Sequence, residues 1–187
     1  MPSVTPRFIE VVSARKPQKL FKLSTTRSLA MSLHSYSRCW LHLTWATLRR
    51  ERMLPKAAGA KVSSFLYDYS HSKGIYMKSN FVNPDHAHAV IDLPTSYSIE
   101  KVLQLLKGAS SHWINANRMI AGTFGWGRGY GAFSVSHSNL NTVVRYIENQ
   151  EEHHRRKSFA EELSALVKIH GLEWHDDDET DEAEPVG

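Results

Sequence analysis

The chain has 187 residues, 41% apolar and 22% charged, a balance typical of a globular protein and enough for one domain with its own core. No apolar run approaches the roughly 20 residues that a membrane span requires, and the single cysteine, Cys39, excludes an internal disulfide and a cysteine-based zinc site, so a cytoplasmic location is expected. The net charge of +4 conceals an asymmetry: eight acids from Glu173 onward meet no Lys or Arg, leaving 23 basic against 11 acidic side chains in the first 172 residues, a net +12.

Residues 1–30 carry six basic residues, one acid and no hydrophobic period, and lack the apolar stretch of a secretory signal. They read as a basic, disordered arm or as an over-extended start, because Met31 directly precedes the first patterned segment. Cys39, Leu41, Leu43 and Trp45 then alternate with Trp40, His42, Thr44 and Ala46, the period of a half-buried strand. After a basic loop (Arg49, Arg50, Arg52), Val62, Phe65, Leu66 and Tyr69 recur at helical spacing until Gly74. Residues 75–82 and 86–93 read as two strands separated by Asn83-Pro84-Asp85.

Ser98 caps a second predicted helix whose buried stripe is Ile99, Val102, Leu103, Leu106 and Trp113. The glycine-rich segment 125–131 leads into a fourth strand at 132–136. Ser138 or Asn139 caps a helix with Leu140, Val143, Val144 and Ile147, and Ser158-x-x-Glu161 is a capping box opening a last helix that stops at Gly171. The order βαββαβ plus two C-terminal helices predicts an α+β, ferredoxin-like antiparallel sheet with helices over one face. The domain is expected over 31–174. An acidic, disordered tail over 175–187 either aids solubility or competes with nucleic acid for the basic body.

Two patterns carry chemistry. His86-Ala87-His88 projects both imidazoles from one face of a strand, about 7 Å apart along it, which suits either a solvent-facing pair or two metal ligands. Tyr146 and Gln150, at i and i+4, share one face of a helix, either as residues flanking the core or as site residues. Taken together they offer two nitrogen ligands, one amide oxygen and a phenol one turn away, a set that suits Mg²⁺ or Mn²⁺. Arg49, Arg50, Lys107, Arg128 and Arg145 are candidate contacts to a nucleic-acid backbone, with ordinary solvated charge as the alternative. Tyr130 and Trp126 are candidates to stack on unpaired bases, and the basic run 153–157 reads as a phosphate-binding helix end or an exposed face.

Pro84-Asp85-His86-Ala87-His88 resembles the HUH motif of the single-tyrosine transposases of small insertion sequences, the insertion-sequence-200-like family that includes REP-associated tyrosine transposases. Tyr146-Ile-x-Asn-Gln150 resembles that family's nucleophile helix, and Leu43-Thr-Trp45, Leu106-Lys107-Gly-x-Ser110-Ser111 and Gly129–Ser136 resemble further family segments in the same order. Between its histidines the family commonly has a larger apolar residue than Ala87.

The resemblance implies a DNA transposase that cuts and rejoins single-stranded DNA at hairpin-bearing ends, associated with the nucleoid. It makes Tyr146 the nucleophile of a 5′-phosphotyrosine intermediate and His86, His88 and Gln150 the metal ligands. It further implies either a homodimer whose tyrosine helix completes the partner's site or, on the REP-associated branch, a monomer. The alternatives are a catalytically silent ferredoxin-like module that binds single-stranded nucleic acid, and a relaxase or replication initiator of HUH type.

Overall fold

Trp40–Ala46 forms β1, and from Trp40 to Trp45 every residue of this strand is buried, polar and apolar alike. Such a strand has to be covered on both faces, and this requirement organises the rest of the molecule. The computed structural model describes residues 36–155 and 157–173. The chain divides into two compact units, Met1–Tyr36 and Ser37–Gly187, and of the first only Tyr36 is among the described residues. The arm and tail expected over 1–30 and 175–187, and the domain limits at Met31 and Trp174, lie outside them.

After β1 come a short 3₁₀ turn at Leu48–Arg50 and the helix α1, Lys56–Ser72. The strands β2 (Tyr76–Val82) and β3 (His86–Asp92) follow, then α2 (Ile99–Ala116) and β4 (Gly131–Ser134). Three C-terminal helices complete the order, one more than the two expected because the chain leaves helical geometry at Asn149: α3 (Leu140–Glu148), α4 (Gln150–His153) and α5 (Phe159–Ile169). The strands pair in the order β2-β3-β1-β4 with antiparallel neighbours, the βαββαβ arrangement expected from the sequence. No helix among the described residues is long and apolar enough to cross a membrane.

Local signals account for most boundaries. Gly74 (φ 71°) follows α1 and Gly171 (φ 69°) follows α5, both in the left-handed region that glycine enters without a Cβ clash. The Ser98 side chain accepts from the Lys101 amide, and Ser158 with Glu161 closes the capping box. Asn139 occupies the N-cap of α3 but makes no side-chain capping bond, contrary to the expectation from its residue type.

The two faces of the sheet differ in chemistry. Leu41, Leu43 and Trp45 of β1 with Ala87, Ala89 and Ile91 of β3 pack against Val62 and Leu66 of α1 and Val102, Leu103 and Leu106 of α2. The opposite face carries a small apolar cluster of Trp40, Val90, Leu140 and Ile147. Helices therefore cover both faces rather than one, and β1 is not half-buried, because α3 to α5 fold back over the second face. Beside that cluster lie His42, Thr44, His86, His88, Gln150 and Glu162, all buried. A polar group of this size inside a protein requires partners.

Candidate active site

β3 delivers His86 and His88 to the second face, with ring centroids 4.9 Å apart, and both side chains are fully buried. They are therefore not a solvent-facing pair. His86 Nδ1 donates to Asp85 Oδ1 at 2.6 Å, which leaves Nε2 as the lone-pair nitrogen. That Nε2 accepts from Asn83 Nδ2 at 2.8 Å, and the same amide nitrogen donates to Gln150 Oε1 at 3.3 Å. The lone pairs of His86 and Gln150 thus converge on one partially positive group. On the neighbouring strand His42 Nε2 shares a 3.0 Å hydrogen bond with His88 Nδ1, leaving His88 Nε2 to face inward.

The C-terminal helices supply the other wall. Tyr146 and Gln150 come together as expected but not on one continuous helix: α3 ends at Glu148, Asn149 leaves helical geometry, and Gln150 opens α4. Both contact Glu162, on the first turn of α5. The Tyr146 hydroxyl and Gln150 Nε2 (2.9 Å) donate to Glu162 Oε1. Oε1 lies 3.3 Å from His88 Nε2, whereas Oε2 lies 2.9 Å from His154 Nε2 and 3.9 Å from His86 Nε2. Phe159 closes the site by stacking on His86 at 4.2 Å between ring centres.

The donor set fits a divalent cation. His88 Nε2, His154 Nε2 and Glu162 Oε2 are buried and make no hydrogen bond, although the last two stand 2.9 Å apart. Ligand atoms of His86, His88, His154 and Glu162 lie within 4.8 Å of one another. Neutral imidazole and carboxylate with no thiolate is a donor set for a divalent cation.

Burial sets the protonation states. It lowers His88 well below its ordinary value, with neighbouring His86 and His42 adding to the effect, and it lowers His86 despite the opposing pull of Asp85. His42 falls to about 4 through burial and the charge of His170, and His154 to about 4 through burial and His86. These imidazoles are neutral near pH 7, the form that binds metal. Burial, with the Asp85 charge behind it, pushes Glu162 up to about 8. Burial also opposes ionisation of Asp85, but its hydrogen bond to His86 and the Arg52 guanidinium 3.8 Å away hold its pKa below the usual value.

A groove of about 690 Å³ runs beside the site, lined by Arg49, Arg50, Arg128, Tyr130 and, from α5, Phe159 and Leu163. Arg49 (φ 54°) and Arg50 (φ 55°) both hold left-handed backbone, a strained conformation for non-glycine residues. Thr47 pins this turn: its hydroxyl donates to the carbonyls of Glu51 (2.6 Å) and Asp85 (3.0 Å), tying the arginines to the residue before His86.

Three sequence-predicted contacts sit differently. Lys107 Nζ donates to the carbonyls of Gly127, Arg128 and Gly129 at 2.5–3.2 Å, so it shapes the glycine-rich loop from beneath. Trp126 is half-buried, packs edge-on to Trp45 and Phe124 and donates to Ser110 Oγ at 2.9 Å, which anchors it against the core. Arg145 is exposed on α3 and does not line the groove. The basic run divides: His154 turns into the site, while Arg155 pairs with Glu152 at 2.9 Å.

Sequence reasoning missed Glu162, His154, His42, Asn83 and Asp85 as members of the site. A signal existed for two of them. Glu162 follows Phe159 by three positions, on the side of α5 that Leu163 and Leu166 also help form, so it is a carboxylate bordering an apolar stripe. His42 falls on the same alternation as Trp40 and Thr44, which the two-sided burial of β1 turns inward.

A family model described as "Transposase IS200 like" matches residues 35–150. Among solved structures, the chain is similar to a candidate transposase from Deinococcus radiodurans R1, at 24% identity and a TM-score of 0.50, over 63% of this chain and 94% of that one. It is also similar to a REP-associated tyrosine transposase bound to a REP hairpin, at 14% identity and a TM-score of 0.47, over 66% of this chain and 74% of that one. No curated protein sequence matches the chain.

Proposed function

Because this chain belongs to the IS200-like transposase family, we propose that it cuts and rejoins single-stranded DNA at hairpin-bearing ends, with Tyr146 as the nucleophile. The observation that carries this reading is the meeting of Tyr146, Gln150 and His88 on one carboxylate, so that phenol and candidate ligands share one cavity. His86, His88 and Gln150 would hold a Mg²⁺ or Mn²⁺ ion. When bound, such an ion supplies Lewis-acid polarisation of the scissile phosphate.

The chain's own residues do the rest. Tyr146 Oη attacks the phosphorus in line, forming a 5′-phosphotyrosine and releasing a 3′-hydroxyl. The bond to Glu162 orients the phenol before attack. The attack of a 3′-hydroxyl on the tyrosyl phosphodiester then rejoins strands and frees Tyr146. Phosphodiester energy is kept in the covalent link, so no nucleotide cofactor is required. Arg49, Arg50 and Arg128, with Tyr130 among them, suit a strand whose phosphates and unpaired bases run along the groove. Arg145, exposed on α3, remains a further candidate for the backbone beyond the groove.

Tyr146 lies beside His88 of its own chain, 6.3 Å between ring centroids, so one chain carries a complete set of the proposed site residues. The test is incubation of single-stranded hairpin DNA with Mn²⁺ and either wild type or Tyr146→Phe. Wild type is expected to form a covalent protein–DNA adduct and Tyr146→Phe none; equal products from both, or no adduct from either, sink the reading.

A further inference from the structure

We propose that Glu162 is itself a ligand of the divalent ion, so that the ion fastens α5 across the active site; this rests on the reading of His86 and His88 as metal ligands. The carboxylate stands at the centre of the cluster, with Oε1 3.3 Å from His88 Nε2 and Oε2 2.9 Å from His154 Nε2. It is 3% exposed, and despite these short approaches neither its Oε2 nor His88 Nε2 nor His154 Nε2 makes a hydrogen bond. A proton on Oε2 would answer His154 but would leave His88 Nε2 only a 3.3 Å approach to Oε1, which already accepts from Tyr146 and Gln150. A cation answers all three atoms at once, and a carboxylate brings the negative charge that three neutral nitrogens and an amide lack.

Glu162 and His154 lie beyond residue 150, where the match to the family model ends, so this ligand comes from a C-terminal extension outside the matched region. The extension is built to deliver it. The capping box of Ser158 and Glu161 starts α5 at Phe159, Phe159 stacks on His86, and Glu162 follows on the same turn. Because Phe159 and Leu163 also wall the basic groove, an ion held by Glu162 links occupancy of the metal site to the shape of the strand-binding surface.

The experiment is calorimetric titration of the full-length protein with Mn²⁺ in the absence of DNA, together with amide exchange over residues 159–169. In wild type, Mn²⁺ is expected to slow exchange of α5 by about tenfold or more, with Glu162→Gln weakening Mn²⁺ binding about tenfold or more and abolishing that slowing. If Glu162→Gln binds Mn²⁺ as tightly as wild type, the carboxylate only fills the cavity and the proposal is overturned. If Mn²⁺ leaves α5 exchange unchanged in wild type, it is overturned whether or not the variant folds. His88→Ala separates the two readings: loss of binding there with none in Glu162→Gln defeats only this inference. Normal binding in His88→Ala defeats the metal reading beneath it.

Discussion

Asp85 Oδ1 accepts a 2.6 Å hydrogen bond from His86 Nδ1, and so decides which nitrogen of that imidazole keeps a lone pair for the cavity. An acid held ionised behind a ligating histidine fixes the tautomer and raises the basicity of the ligand. Asp85→Asn is expected to weaken Mn²⁺ binding roughly 10- to 100-fold, although Asp85 makes no contact with the ion in this scheme. Calorimetric titration measures it; unchanged affinity would mean that His86 is oriented by Asn83 alone.

Stability of the metal-free protein is expected to peak near pH 6.5. Burial lowers His42 and His154 from 6.5 to about 4, so between these values the unfolded chain binds more protons and stability falls as pH drops. Glu162 rises from 4.5 to about 8, so over that interval the folded state binds more protons and stability falls as pH increases. Between 4.5 and 6.5 the two histidines outweigh the one acid, and above 6.5 the acid acts alone. Thermal melts from pH 4 to 9 read the profile, and Glu162→Gln should flatten its alkaline side.

Mixing two inactive variants tests whether sites are shared. If each site is completed within one chain, His88→Ala and Tyr146→Phe together restore no cleavage. Recovery toward about a quarter of wild-type activity, from one intact site in each mixed dimer, would instead require tyrosine helices exchanged between copies.

Binding of single-stranded DNA should weaken with salt, and each lost phosphate contact should reduce the slope of log K against log salt by about 0.7. Arg49→Ala and Arg128→Ala are expected each to lower the slope by about that amount. Fluorescence anisotropy over a salt series measures it, and slopes equal to wild type would remove the groove from the DNA path.

Gly59, inside α1, lies where an added Cβ would stand 2.6 Å from the carbonyl oxygen of Val82. Gly59→Ala should therefore destabilise the fold by about 1–3 kcal/mol, since backbone rather than a flexible side chain has to move. Gly108→Ala, on α2 with nothing within 4 Å, should instead stabilise by about 0.5–1 kcal/mol. Urea denaturation midpoints of the two variants should move in opposite directions.

Alternation and spacing carry the βαββαβ order and the antiparallel pairing it implies, and they set His86 beside His88 and Tyr146 near Gln150 as two separate pairs, which the family resemblance joins into one expected site. These follow from local rules: alternation on β3 turns both histidines to one side, and a spacing of four keeps Tyr146 near Gln150 even across the break at Asn149.

That the two pairs meet at one cavity, that Glu162 sits among them, that His154 rather than His153 enters the cluster and that Lys107 holds a loop are outcomes of packing between distant elements. A helical period says which side chains share a face; it does not say what that face will meet. Whether Glu162 lies in solvent or against two imidazoles depends on how α5 docks on a sheet whose nearest site residue is more than 70 positions earlier in the chain.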